Sequence, residues 1–257
     1  MNLNQIKRTL VLDIETASMV VSYDLLDSKS QSFWAKKSNR LHNGSGLARD
    51  DAFLANIFDK KAAIFAEFAR VICISVGIFE VGKEVESFRI KSFYGNNENE
   101  ILMAFAKLLE RHFYDKYHHT LAGHNLKEFD IPFLCRRMII NKIKLPNLLK
   151  IHGARPWQVP HLLDTLELWK FGDYKNYSSL DLLCSVLGIE SPKDKMDGSE
   201  VSNAFWNGRI EEIKTYCEKD IVATARVMLR LLGSVELEDE KIVFVDEKML
   251  KKNDEGE

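Results

Sequence analysis

Cysteine is scarce in this sequence, and the few cysteines that occur lie far apart. The 257 residues contain four of them, and none forms a CxxC pair: Cys73, Cys135, Cys184 and Cys217. This spacing argues against a zinc knuckle and against a disulfide framework. We therefore expect buried thiols in a protein of a reducing compartment.

The sequence also lacks an excess of positive charge and a long apolar run. Lysine and arginine together number 36, against 38 aspartates and glutamates, so the formal net charge is −2. Bulk charge therefore cannot be what holds a nucleic-acid partner. No apolar run approaches the ~18 residues of a membrane span, and the first residues contain no apolar signal core. We expect a soluble, cytoplasmic protein without a membrane partner.

Hydrophobic patterning predicts an α/β fold, because strand-like and helix-like segments alternate along the chain. The hydrophobic content of 46% is sufficient for a folded core. We predict one domain over 1–235, with 22–70 as an insertion between the first and second strands and 236–257 as a charged, disordered tail. Predicted strands cover 9–16, 70–79, 84–93 and 120–123, and predicted helices cover 98–117, 130–142, 162–169, 179–187 and 210–232.

Two carboxylates share the predicted first strand, in the sequence VLDIET at 11–16. Side chains at i and i+2 of a strand point to the same face, so Asp13 and Glu15 are expected to lie side by side. Two like charges on a half-buried face repel each other and lose solvation. A bound cation would offset both costs. From this stretch alone, an edge strand with two solvated acids is an equal alternative.

Two further acidic positions occur later in the chain. Asp130 ends the sequence HNLKEFD at a predicted strand-to-helix junction, where a helix N-cap is the simplest structural role. Tyr216 and Asp220 are four residues apart in the predicted last helix and therefore share one face. Ile213 and Ile221 flank that face as predicted core residues. Asp220 is therefore expected at the boundary between the core and a cleft.

Taken together, the three motifs resemble the DEDD superfamily of 3′–5′ exonucleases, in its tyrosine-bearing subclass. More narrowly, the chain resembles the stand-alone predicted exonucleases related to the exonuclease domain of family B DNA polymerases. The resemblance extends over 9–232. The first motif matches as Asp13-Ile14-Glu15, the second as Asn125, Phe129 and Asp130, and the third as Tyr216 and Asp220.

The resemblance implies an RNase H-like fold, in which a mixed five-stranded sheet carries helices on both faces. It also implies metal-dependent hydrolysis of single-stranded DNA from the 3′ end, with release of 5′-mononucleotides. Two divalent cations are implied, Mg²⁺ with Mn²⁺ as a substitute, held by Asp13, Glu15, Asp130 and Asp220. The same four acids and Tyr216, which orients the attacking water, are the implied catalytic residues. The implied substrate-binding residues are Ile14, Thr16, Asn125 and Phe129.

Several alternatives stay open at the level of the sequence. The substrate could be RNA or a short oligonucleotide, because discrimination of the sugar rests on contacts to the 2′-hydroxyl. A catalytically silent RNase H-like module that binds nucleic acid or protein is a second alternative. Asn125 could equally close a turn, and Phe129 could equally pack in the core. Because the sequence contains no polymerase domain, we expect any proofreading to require a replication or repair partner.

Basic groups that could guide a strand are few. Each of these basic groups is also typical of a solvated surface. Binding of nucleic acid is expected to be salt-sensitive. His124 and Asp164, which lie near the motifs, are interpreted as structural residues. The candidate basic groups are Lys36-Lys37-Arg40, Arg136-Arg137, and Lys193 with Lys195.

Overall fold

The computed structural model describes residues 1–41, 50–173, 177–191 and 198–245. Within these residues one sheet has six strands in the spatial order β5-β4-β1-β2-β3-β6. β1 is antiparallel to β2 and parallel to β4, and β2 and β3 form an antiparallel pair. The strands are β1 (Thr9–Ser18), β2 (Ala69–Val81), β3 (Val85–Tyr94), β4 (Thr120–Gly123), β5 (Leu162–Asp164) and β6 (Ile242–Phe244).

Helices cover both faces of this mixed sheet. Alternate residues of β1 point to opposite faces. Leu10, Leu12 and Ile14 pack in one core with residues of α4 and α5, whereas Val11 packs in another with residues of α9. The helices are α1 (Leu3–Lys7), α2 (Ser28–Leu41), α3 (Asp51–Lys61), α4 (Glu98–His112), α5 (Asp130–Ile140), α6 (Thr165–Lys170), α7 (Leu180–Leu187), α8 (Val201–Trp206) and α9 (Ile210–Leu231).

Local sequence explains where several of these helices begin and end. The Asn97 side chain accepts hydrogen bonds from the amides of Asn99 and Glu100, which caps α4. α7 begins after Ser179, whose hydroxyl accepts from the Leu182 amide. It ends at Gly188, which has a φ of 66°. That left-handed conformation costs glycine little, so Gly188 stops the helix where the sequence predicts.

The segment between β1 and β2 is helical and has an apolar cluster of its own. Trp34 of α2 is fully buried in that cluster, together with Phe58 of α3 and Phe68. The Trp34 indole donates to the carbonyl of Leu54 at 3.0 Å. The segment also contacts β1, because the Thr16 hydroxyl donates to the carbonyl of Ala63 at 2.8 Å.

Three predictions about the fold need correction. The sheet has six strands rather than five, because Ile242–Phe244 pairs with β3 in parallel. This strand lies in the predicted disordered tail, so that prediction is wrong for 242–244, and 246–257 lie outside the described residues. The predicted helix at 162–169 is instead strand β5 followed by α6. β5 forms because it pairs with β4, a contact that local periodicity does not encode.

In the part of the chain that the structure describes, no helix combines the length and the apolar character needed to cross a bilayer.

Candidate active site

Asp13 and Glu15 project from the face of β1 that α9 covers. Each lies opposite a residue of β2: Asp13 opposite Ser75, and Glu15 opposite Cys73. The register shifts directly after Glu15, which marks a bulge. Glu15 is only 8% exposed and Asp13 is partly buried. The predicted pair of adjacent acids is therefore present in a largely desolvated position.

A thiol that sequence reasoning did not assign to the site touches Asp13. The Cys217 Sγ of α9 donates to Asp13 Oδ2 at 3.2 Å. Ligand atoms of Asp13, Glu15 and Cys217 all lie within 4.8 Å of one another. The feature of the sequence that could have pointed to Cys217 was its position between Tyr216 and Asp220 in the third motif. It could not show that the thiol faces β1.

Asp130 joins β1 from the start of α5 and does not cap that helix. The N-cap position belongs to Phe129, and no side-chain capping bond is formed there. Instead, Asp130 Oδ1 accepts the backbone amide of Ile14 at 3.2 Å. Asp130 is 3% exposed. Its carboxylate is therefore fixed to the strand segment that carries Asp13 and Glu15.

Tyr216 and Asp220 lie one turn apart on α9, as predicted. Tyr216 is 8% exposed and packs in an apolar cluster with Ile72 and Cys73 of β2. The negative charge of Asp220 raises the pKa of Asp13, Glu15 and Asp130 alike. One carboxylate can act on all three only if it lies near all three. The four predicted acids therefore come together from β1, α5 and α9.

Burial and mutual repulsion both raise the pKa values in this cluster. Burial, followed by the charges of Asp220 and Asp130, holds the pKa of Asp13 well above its usual range. Burial, followed by the charge of Asp13, does the same for Glu15. Burial is also the largest cause for Asp130, whose pKa rises to about 8 although the Ile14 amide opposes the shift. The ionised cluster therefore needs a compensating positive charge.

A hard divalent cation fits this set of donors. Mg²⁺ and Mn²⁺ prefer carboxylate oxygens, and the cluster offers such oxygens from Asp13, Glu15, Asp130 and Asp220. A cation would lower the electrostatic cost that the raised pKa values express. The residues present are therefore suited to holding divalent metal.

The loop before Asp130 is fixed by a second buried aspartate. Asp164 is 3% exposed and accepts the backbone amides of Asn125 and Lys127, both at 2.9 Å. Its Oδ1 also accepts the amide of Leu166, which caps α6. Asn125 has a φ of 59°, a left-handed conformation that asparagine tolerates better than most residues. Asp164 thus has the structural role expected for it, and Asn125 closes a turn.

The remaining predicted substrate-binding residues border the cluster in different ways. The side chain of Ile14 is 4% exposed and lies in the core, whereas its amide is bonded to Asp130. Thr16 is 7% exposed, and its hydroxyl donates to the segment between β1 and β2. The Phe129 ring is partly buried and lies 5.5 Å from the ring of Phe133. His124 bridges Thr165 and the carbonyl of Ser178, as a structural residue would.

Comparison with known families matches 64–253 of this chain. The matching family is described as a predicted 3′–5′ exonuclease related to the exonuclease domain of PolB. The chain belongs to this family. The resemblance to the predicted exonucleases related to the PolB exonuclease domain, and the 3′–5′ exonuclease class that it implied, are therefore confirmed. The match contains Asp130, Tyr216 and Asp220, whereas Asp13 and Glu15 lie before it on β1, beside Cys217 of α9.

A solved polymerase structure supports the fold. The family B DNA polymerase from Pyrobaculum calidifontis is 13% identical, with a TM-score of 0.53, over 88% of this chain and 24% of the polymerase. This likeness agrees with the RNase H-like fold expected for PolB-type exonucleases. The Pan2 pseudoubiquitin hydrolase–RNA exonuclease module from Saccharomyces cerevisiae is also 13% identical, with a TM-score of 0.38, over 98% of this chain and 32% of that one.

This member of the exonuclease family therefore spans less than a third of either of these two chains. No curated protein sequence matches it significantly.

Proposed function

We propose that this exonuclease hydrolyses single-stranded DNA from the 3′ end and releases 5′-mononucleotides, with two divalent cations as cofactors. The observation that carries the proposal is the convergence of Asp13, Glu15, Asp130 and Asp220 at one largely buried place, where the charge of Asp220 raises the pKa of the other three. Mg²⁺ is the proposed metal, with Mn²⁺ as a substitute, because all four donors are carboxylates. The free cysteines support a cytoplasmic location for this activity.

The four acids would hold the cations, with Asp13 central to the set. Asp13 faces α9 from β1 and is electrostatically coupled to both Asp130 and Asp220. When bound, such metal ions lower the pKa of a coordinated water and stabilise charge on the attacking and leaving oxygens. Asp130 keeps its position through the Ile14 amide, and the thiol of Cys217 holds one carboxylate oxygen of Asp13.

Tyr216 would orient the attacking water rather than act as a strong base. An unperturbed phenol has a pKa of about 10, so a phenol hydroxyl is better suited to donate or accept a hydrogen bond than to act as a strong base. Its place one turn before Asp220 on α9 supports this role. A 3′-terminal nucleotide would lie against the part of β1 that contains Ile14 and Thr16, and against the loop of Asn125 and Phe129.

The proposal is tested with a 5′-labelled single-stranded DNA oligonucleotide in Mg²⁺, in Mn²⁺ and in EDTA. We expect a metal-dependent ladder that shortens from the 3′ end. Glu15→Gln should abolish the ladder, whereas Glu110→Gln should not, because Glu110 is an exposed residue of α4. Both variants replace a glutamate by a glutamine, so a difference in their cleavage activity arises from the position of the residue.

An RNA oligonucleotide of matching sequence shows whether the enzyme prefers deoxyribose or ribose in its substrate. Faster shortening of RNA than of DNA would overturn the proposed substrate while keeping the hydrolytic class. Absence of cleavage on both substrates, with folded and Mg²⁺-bound protein, would instead favour a silent module that only binds nucleic acid or protein.

A further inference from the structure

A cavity lies at the end of the sheet opposite the acidic cluster. Residues that directly precede the parallel strands β1, β4 and β5 line it, and its volume is about 490 Å³. Arg8 and Asp13 are five residues apart along the extended chain, which corresponds to about 16 Å. The polar and aromatic lining of the cavity includes Arg8, Lys116, Tyr117, His118, His119 and His161.

The lining is basic. None of the described residues that form it is an aspartate or a glutamate. Arg8 and Lys116 are exposed at its wall, and the Lys116 ammonium lies 5.4 Å from the centre of the Tyr117 ring. The Met1 amino group is also on the wall and donates to the carbonyl of Leu232. The carboxylate of Asp115, one residue before Lys116, pairs with His118 at 2.6 Å.

Two histidines line the inner part of the cavity. His161 is 7% exposed, and its Nε2 donates to the carbonyl of Leu148 at 2.9 Å, which leaves Nδ1 for another partner. His119 is partly buried, and its Nδ1 accepts the Asp115 amide at 3.3 Å, so its proton lies on Nε2. Neither ring has a carboxylate bonded to it in the described part of the chain, which leaves both available to a ligand.

Burial and neighbouring positive charges lower the pKa of both rings. Burial lowers the pKa of His119, and the Arg8 cation adds to this effect, although Asp115 opposes it. Burial also lowers the pKa of His161, together with the charges of Lys116 and Lys127. The same cations that disfavour protonation would favour an anion.

We propose that this cavity binds the phosphate group of a nucleotide. Arg8 and Lys116 supply charge-assisted hydrogen bonds, and the Nε2–H of His119 supplies a further donor. The Nδ1 of His161 becomes a donor once that ring is protonated. The volume lies in the range of small-ligand sites. Tyr117 is 84% exposed at the rim, where its ring can stack on a base. A free mononucleotide and a segment of a polynucleotide backbone offer the same phosphate chemistry.

The experiment measures binding of inorganic phosphate, of deoxyadenosine 5′-monophosphate and of a single-stranded DNA oligonucleotide by calorimetry in EDTA. EDTA prevents hydrolysis and leaves the acidic cluster repulsive to phosphate, so the result is independent of the proposed function. Ring-proton NMR signals of His119 and His161 localise the binding, with His119→Gln for assignment. Binding should tighten as the pH falls from about 8 to about 6, because a phosphate favours the protonated rings.

Two matched double variants decide the proposal. Arg8→Gln with Lys116→Gln should weaken binding of the nucleotide by about tenfold or more. Lys7→Gln with Lys107→Gln removes the same charge from exposed positions outside the cavity and should leave binding unchanged. Equal losses in both variants, or unshifted signals of His119 and His161, would overturn the proposal. Binding of the oligonucleotide but not of the mononucleotide would identify the polynucleotide backbone as the source of the phosphate.

Discussion

Asp13 has two kinds of neighbour, and they act on its ionisation in opposite directions. The carboxylates of Asp220 and Asp130 raise its pKa beyond the effect of burial, whereas the thiol of Cys217 lowers it by donating a hydrogen bond. A cation site needs the ionised form of its ligands. Cys217 therefore favours metal binding without having to be a ligand itself.

Replacing this thiol should affect metal affinity in a pH-dependent way. Cys217→Ala removes the donor, so the pKa of Asp13 rises further, and Mg²⁺ should bind about threefold more weakly near neutral pH. The difference should diminish as the pH rises, because Asp13 then ionises in both proteins. Calorimetric titration with Mg²⁺ measures this. Cys217→Ser keeps a donor and serves as the control; if it behaves like Cys217→Ala, the hydrogen bond is not the cause.

Tyr216 should matter for the rate but not for binding of the metal. Tyr216→Phe removes the hydroxyl that is proposed to orient the attacking water and keeps the ring that packs against β2. We expect a fall in kcat of about 10- to 100-fold, in line with the cost of misplacing a reacting group. Measurements of kcat and of Mg²⁺ affinity on the same protein separate the two effects. Equal loss of both would contradict a role confined to the water.

At the residue scale, short-range periodicity predicted some of the site and not the rest. The alternation of a strand was sufficient to place Asp13 beside Glu15, and the helical repeat placed Tyr216 near Asp220. The partner of Asp130 could not be predicted, because the Ile14 amide is 116 positions away in the sequence. Capping was therefore the simpler local interpretation. The orientation of Cys217 depends on how α9 packs on the sheet, which no local pattern encodes.

At the scale of elements, a buried ion pair joins the start of β2, α4 and α5. Glu98 accepts the Val71 amide at 2.7 Å and two hydrogen bonds from Arg137. Arg137 also donates to the carbonyl of Ala66, so it holds the end of the inserted segment. Although burial opposes it, hydrogen bonds led by that of Arg137 lower the pKa of Glu98. The interpretation of Arg137 as a surface guide for a nucleic-acid strand is therefore wrong.

Breaking this pair should be strongly destabilising. Arg137→Met leaves the Glu98 carboxylate buried and unpaired, which costs about 3–5 kcal/mol. The matched control is Arg89→Met, which removes the partner of Glu80 from a pair whose side chains are 41% and 46% exposed. That change should cost less than about 1 kcal/mol. Chemical denaturation measures the loss in free energy of unfolding for each variant. Similar losses in the two variants would contradict a special contribution of the buried pair.

Element boundaries were predictable where a local signal marks them. Asn97 marks the start of α4 through its capping side chain, and Gly188 marks the end of α7 through its left-handed backbone conformation. Both effects act within one helical turn, so the local sequence contains the signal. β5 was misread as helix because Leu162–Asp164 is short and is defined by pairing with β4. β6 was missed for the same reason, since its partner β3 lies far upstream. Short strands that depend on distant partners carry little sequence signal of their own.

At the scale of the whole molecule, the raised pKa values make stability depend on pH. Asp13, Glu15 and Asp130 bind protons more tightly in the folded state than in the unfolded state. Without metal, the stabilisation is complete below the unfolded pKa of about 4 and is lost as the pH rises through the folded pKa. For Asp130 that value is about 8.

Metal-free protein should therefore melt at a lower temperature at about pH 8.5 than at about pH 7, an interval that lies above the unperturbed histidine pKa of about 6.5. Mg²⁺ should raise the Tm more at the higher pH, because binding to the folded state offsets the repulsion. Calorimetric scans with Mg²⁺ and with EDTA test this. Asp13→Asn with Asp130→Asn should flatten the pH dependence. A steep dependence in that variant would assign the effect to other groups, such as the buried thiols.

The two outermost strands of the sheet, β5 and β6, are each three residues long. An edge strand presents unpaired amides and carbonyls on which a second protein molecule can extend the sheet. Here the long strands β1, β2 and β3 lie inside, and the short ones end the sheet on both sides. Each of these two outermost strands thus offers very little backbone of its own to a neighbouring molecule, and β6 pairs with three residues of β3. A molecule that extended the sheet through β5 or β6 would form only a short ladder, which disfavours edge-to-edge aggregation by that route.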